Sequence, residues 1–214
     1  MRDVAPQTIY LKDYTPFGYS VDKVHLTFDL APNATRVTSR IRFTPDRDAE
    51  DKTFFLHGEN LKLLSAKIDG ETVKPNVTPE GLTCEVPNIP FVWECEVQID
   101  PAANTALEGL YQSSGMYCTQ CEAEGFRKII YYPDRPDVMS IFTVRINGPH
   151  STLLSNGNPV ASGDGWAEWH DPWPKPAYLF ALVAGELIPH PGQFTTMSGC
   201  EVELNLYVRA GDEG

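Results

Sequence analysis

Residues 118–127 read CTQCEAEGFR and bring two cysteines, a glutamine and two carboxylates together. Cys118 and Cys121 have the spacing of the first ligand pair of a structural zinc site or of a dithiol redox pair. A structural zinc site needs a second pair. Cys84, Cys95 and Cys200 are isolated, and no histidine lies near another. The redox reading needs a stabilised thiolate, and the carboxylates Glu122 and Glu124 that follow at once disfavour one. His25, His57, His150, His170 and His190 include no pair four apart, so H-E-x-x-H is missing, as are G-x-S-x-G, the P-loop and the dinucleotide glycine pattern. Each lone histidine reads as an ordinary surface or core residue, and the chain is expected to carry neither catalytic residues nor a metal site.

Glu122 and Glu124 are the remaining candidates. Composition alone favours two solvated loop acids. The functional reading is that one of them receives a cation, and residue types do not separate the two.

The elements that must position this stretch are strands. In FVWECEVQID, Phe91, Trp93, Cys95, Val97 and Ile99 share one face, as in a half-buried strand. VHLTFDL aligns Val24, Leu26, Phe28 and Leu30; EVELNLYVR aligns Val202, Leu204, Leu206 and Val208; RVTSRIRFTP does so more weakly through Val37, Ile41 and Phe43. The turn signals IDGE (68–71), SNGN (155–158) and SGDG (162–165) fall between such runs. No long window carries a helical stripe, so helices should be short. The expected fold is all-β, an antiparallel β-sandwich of a large and a small sheet, with no internal repeat and one domain over 1–214. Alternation lapses from about Ala102 to Asp137, and a loop of that length is usually functional or disordered. Its aromatics Tyr111, Tyr117, Phe126, Tyr131 and Tyr132 argue against disorder.

Seventeen basic against 29 acidic residues give a net charge of −12. Such a surface repels phosphate backbones and anionic lipid, so neither nucleic acid nor membrane is expected as a partner, while a cationic group suits it. The opening MRDVAPQTIYLKDYTPFGYS has no apolar run of signal-peptide length, and the five scattered cysteines do not suggest a secreted disulfide framework. The expectation is a cytoplasmic protein.

EGLYQSSGMYCTQCEAEGFRKIIYYPDRPD (108–137) strongly resembles the N-terminal domain of the bacterial aminopeptidase N family, the gluzincin zinc aminopeptidases. IYLKDYTPFGY, LLSNGNPV, DPWPKPAYLFALVAGEL and FTTMSGCEVELNLYV look like the same domain in the same order, so the resemblance covers essentially the whole chain. It implies a saddle-like β-sandwich that packs on a thermolysin-like catalytic domain carrying H-E-x-x-H, G-x-M-E-N and one zinc ion. None of that machinery lies in this sequence, so the chain by itself is expected to be inactive. Glu122 then corresponds to the family's glutamate that binds the substrate's free α-amino group, and Gln120 to the glutamine beside it. The implied partners are peptide N-termini and the catalytic domain of the same polypeptide. A free-standing binding or scaffold module is the alternative. Asp134 to Asp137 are expected to order the loop through polar contacts, with the cysteines shaping it by packing.

Overall fold

In the computed structural model, which describes residues 8, 10–49 and 51–212, the alternating stretches form strands. The start of the opening segment, residues 1–7 and 9, lies outside the described residues. In chain order the strands are β1 (Tyr19–Asp29), β2 (Thr35–Pro45), β3 (Phe55–His57), β4 (Lys62–Ile68), β5 (Glu71–Thr72), β6 (Asn76–Thr78), β7 (Gly81–Thr83), β8 (Phe91–Ile99), β9 (Gly109–Ser113), β10 (Met116–Gln120), β11 (Met139–Asn147), β12 (Thr152–Ser155), β13 (Asn158–Gly163), β14 (Trp166–Pro176), β15 (Leu182–Gly185), β16 (Ile188–Thr195) and β17 (Glu201–Val208). The helical segments among the described residues are short 3-10 turns. None is long and apolar enough to cross a membrane.

An eight-stranded sheet runs β13-β14-β11-β1-β2-β8-β4-β5. Beside it are a four-stranded sheet, β12-β15-β10-β9, a three-stranded sheet, β3-β7-β6, and the ribbon β16-β17. The expected all-β architecture holds, with two refinements. The smaller part divides into three sheets, and β1 pairs with β11 in parallel, from Lys23 opposite Ile141 to Asp29 opposite Asn147. A parallel neighbour needs a long connection, and here the chain between β1 and β11 supplies the rest of the sheet's centre.

Local chemistry explains the turns. Asp69 and Gly70 both adopt positive φ between β4 and β5, as a two-residue hairpin turn with right-handed strand twist requires. The stretch 102–137, where alternation lapses, contains a hairpin of its own: Ser114 and Gly115, again at positive φ, join β9 to β10.

The buried face of β8 is the one that alternation marks, with Phe91, Trp93, Cys95, Val97 and Ile99 inside. Two aromatic clusters fill the core. Tyr19, Phe43, Phe54 and Phe91 pack at centroid separations of 5.0–6.3 Å. Phe126, Tyr132, Phe142 and Phe180 form the second, with Phe28 stacked on Phe180. Phe126 belongs to the 118–137 stretch, so the middle of that stretch is rooted in the core.

β17 departs from the expectation of a half-buried strand. Val202, Leu204, Leu206 and Val208 do share a face, and their partners across the ribbon are Phe194, Gly192, His190 and Ile188. That face is bare: Leu206 is 72 % exposed and Phe194 57 %. Alternation specifies an apolar face, but a second layer must come from elsewhere to bury it, and the ribbon has only two strands.

Candidate functional site

Gln120 and Glu122 stand where β10 gives way to a tight turn. Thr119 pins the strand's end: its hydroxyl accepts the Leu182 N–H at 2.8 Å and donates to the Leu182 carbonyl at 3.3 Å. The chain then turns over residues 121–125, closed by Gly125 N–H donating to the Cys121 carbonyl at 2.9 Å, and enters a 3-10 turn over Phe126–Lys128. Glycine is required at the closure. A Cβ on Gly125 would stand 2.2 Å from the Gln120 carbonyl oxygen and 3.0 Å from the Gly109 nitrogen.

Behind the turn lies a charge network. Arg127 donates from its backbone N–H and from Nε to Oδ2 of Asp134, both at 3.1 Å, and from Nη2 to the Asp134 carbonyl at 3.1 Å. Nη2 also pairs with Glu124 at 3.2 Å. Lys128 pairs with Glu108, and Arg135 with Asp137 at 2.7 Å. Burial pushes the Asp134 carboxyl above its ordinary range, an effect that the Arg127 hydrogen bonds partly offset. The expectation that Asp134 to Asp137 order the loop is met by these contacts.

His57 completes the network from outside the stretch. Its backbone exchanges hydrogen bonds with Tyr132, and its Nδ1 accepts the Asp134 N–H at 3.2 Å. Accepting at Nδ1 leaves the neutral ring's proton on Nε2. Burial, reinforced by the nearby Arg127 charge, pushes the His57 pKa from 6.5 down to about 4. Between these values the ring is neutral in the folded chain and charged in the unfolded one. Folding stability from this group is therefore intact above pH 6.5 and is lost as the pH falls towards 4. His57→Asn, whose amide oxygen can accept the same N–H without titrating, should flatten the decline relative to the parent in urea unfolding across that window. An identical slope in the two proteins would refute the role of His57.

The cysteines are free. Cys121 is buried and Cys118 half-buried, and burial raises both thiol pKa values, which opposes thiolate chemistry. Among the described residues no group of three or more His, Cys, Asp or Glu is placed to hold a metal ion.

Gln120 and Glu122 are both exposed, as a receiving site requires. Gln120 Nε2 donates to the Glu122 backbone carbonyl at 3.1 Å, which leaves the Gln120 amide oxygen as an acceptor on the same turn. The other charged side chains from residue 120 to 137 have ionic partners: Glu124, Arg127, Lys128, Asp134, Arg135 and Asp137. The Glu122 carboxylate has none among the described residues. The sequence singled out Gln120, Glu122 and Asp134 but not His57, Arg127 and Gly125, which the structure places around the same turn. Only the glycine-rich character of the stretch hinted at Gly125.

The pattern of the Peptidase M1 N-terminal domain family matches residues 15–179. The chain belongs to that family. Among curated relatives of this M1 domain, the aminopeptidase N of Caulobacter vibrioides is 50 % identical, over 99 % of this chain and 26 % of its own length. That of Escherichia coli is 46 % identical, over 97 % of this chain and 25 % of its own length. The chain thus spans about a quarter of the length of these curated relatives. The crystal structure of Legionella pneumophila aminopeptidase A with aspartic acid superposes with a TM-score of 0.85 at 32 % identity, covering 94 % of this chain and 25 % of that one. An M1 zinc metallopeptidase from Deinococcus radiodurans, 17 % identical with a TM-score of 0.75, shares the M1 N-terminal fold. The ribbon β16-β17 lies beyond the 15–179 match.

Proposed function

We propose that this chain is the amine-receiving part of a zinc aminopeptidase, in which Glu122 and Gln120 bind the free α-ammonium group of a peptide. The observation that carries this reading is the exposed Glu122 carboxylate without a partner, set in a turn whose other charges are paired. An ammonium group offers three donors and a full positive charge. The Glu122 carboxylate and the Gln120 amide oxygen supply two acceptors, one of them charged. An internal peptide N–H has one donor and no charge, so the site favours chain termini. The acidic surface raises the local concentration of cationic termini.

Hydrolysis belongs, in this reading, to the remainder of a polypeptide about four times as long, as in the relatives. Among the described residues no cluster is placed to hold a zinc ion, and no step assigned to them passes through one. The bare face of β16-β17 supports the same reading: Phe194, Leu204 and Leu206 form an apolar surface that the rest of the polypeptide would cover. Leu204→Ser with Leu206→Ser should leave thermal unfolding of the 214-residue chain almost unchanged, because both side chains are already exposed. In the complete polypeptide each buried leucine would contribute about 1.5–3 kcal/mol, so the same variant should be clearly destabilised. Equal effects in the two contexts would refute the covering role.

The function itself is tested with matched substrates, one with a free and one with an acetylated amino terminus. The complete enzyme should strongly prefer the free amine, and Glu122→Gln should narrow that preference. A preference that survives the substitution undiminished overturns the assignment.

A further inference from the structure

We propose that Arg127, locked by buried Asp134, is the positioning residue of this site, and that its guanidinium fork sets where the Glu122 carboxylate stands. The inference rests on the amine-receiving role of Glu122. The Arg127 side chain is 12 % exposed and that of Asp134 2 %. Arg127 is held from several directions: its N–H and Nε meet one carboxylate oxygen, Nη2 meets the Asp134 carbonyl, and its own carbonyl accepts the Glu59 N–H at 3.0 Å. Among the described residues, the turn carrying Glu122 is closed by the Gly125 to Cys121 and Gln120 to Glu122 hydrogen bonds. The turn is thus held between the Thr119 anchor at the end of β10 and the Arg127 network, which fixes its C-terminal side.

Two arguments separate this role from ordinary structural support. Burying an ion pair strips water from both charges, and an apolar pair of similar volume is often as stable, so the pair's contribution is to conformation more than to stability. The fork also sorts the two acids of the turn. Glu124 is drawn onto Nη2 while Glu122 is left without a partner. Without Arg127 nothing holds Glu124 back, and two carboxylates two residues apart compete for one ammonium while the turn samples other conformations. Lysine, a point charge on a flexible stem, cannot reproduce a fork that meets a carboxylate, a carbonyl and a second carboxylate together.

The test is a double-mutant cycle in the complete enzyme, comparing Arg127→Met/Asp134→Leu and Arg127→Lys with Glu122→Gln, alone and combined. The apolar pair leaves the Arg127 N–H and the Asp134 carbonyl without these partners and should melt somewhat below the parent, yet the folded enzyme should lose ~10-fold in kcat/KM for free-amine substrates, mostly through KM. On the Glu122→Gln background the further loss should shrink below ~2-fold, because the carboxylate being positioned is gone. A structural defect would instead lower the amount of active enzyme and leave KM unchanged. Should the apolar pair fail to fold, Arg127→Lys supplies the same comparison. Parent-like KM in the folded variants, or a full loss repeated on the Glu122→Gln background, overturns the positioning role while the Glu122 assignment stands. If Glu122→Gln alone changes nothing, the amine-receiving reading fails, and this inference fails with it.

Discussion

Glu122→Gln in the complete enzyme is expected to lower kcat/KM by ~10- to ~100-fold while folding stays intact. A hydrogen bond to a charged partner is worth about 1.5–3 kcal/mol, and 1.36 kcal/mol corresponds to one decade. The substitution keeps the side chain's size and removes only the charge. Because Glu122 is exposed and contributes no ion pair to the folded chain, its loss should cost no stability. Glu124→Gln is the internal control. Glu124 pairs with Arg127 through a side chain that is 71 % exposed, so its own effect should be several-fold smaller. Cys121→Ser is the second control: it places a hydroxyl at a buried position and should act on the melting temperature, leaving the kinetics of the folded protein unchanged. Full efficiency in the Glu122 variant, or an equal loss in the Glu124 variant, would place the amine elsewhere.

Phe126→Ala is expected to produce the largest loss of stability, about 3–5 kcal/mol. The ring is fully buried and meets Tyr132 at 5.1 Å, Phe180 at 5.3 Å and Phe142 at 6.0 Å between centroids. Truncation removes these contacts and leaves a cavity that surrounding strands cannot close, since Phe142 sits on β11 and Tyr132 is tied through its hydroxyl to Ser140 at 2.8 Å. For a domain of this size the melting temperature should fall by roughly 6–20 °C. Phe126→Leu, which keeps most of the volume, should lose much less. A loss under about 1 kcal/mol in the alanine variant would show that the ring does not anchor the turn. The effect bears on function because residue 126 lies between the turn and the Arg127 fork, so an unanchored 3-10 turn also releases Glu122.

The strands were the most legible part of the sequence. Side chains on a strand alternate between faces, so an apolar period of two names the buried residues whatever the strand pairs with. Phe91 to Ile99 illustrate this, as do the positive-φ residues Asp69 and Gly70, whose turn is a local matter. The family was legible for a different reason: CTQCEAEGFR is unusual enough to carry a resemblance, which singled out Gln120 and Glu122, and the match over 15–179 bears the resemblance itself out.

What the tertiary structure alone decided concerns contacts between residues remote in sequence. His57 meets Asp134 across 77 positions, and β1 lies parallel to β11. Gly125 is demanded first by its own turn, through the Gln120 carbonyl, and the Gly109 backbone nitrogen at 3.0 Å crowds the same space from across the hairpin. The alternation in 202–208 marked an apolar face as clearly as that in 91–99, yet one face is buried and the other bare. Periodicity reports which side chains share a surface. Burial depends on a second surface, which a local pattern does not encode. In the same way, composition supplied six paired charges and one unpaired one without distinguishing them. Only the fold, by bringing Arg127 onto Asp134 and Glu124, separated Glu122 as the charged side chain of 120–137 without an ionic partner among the described residues.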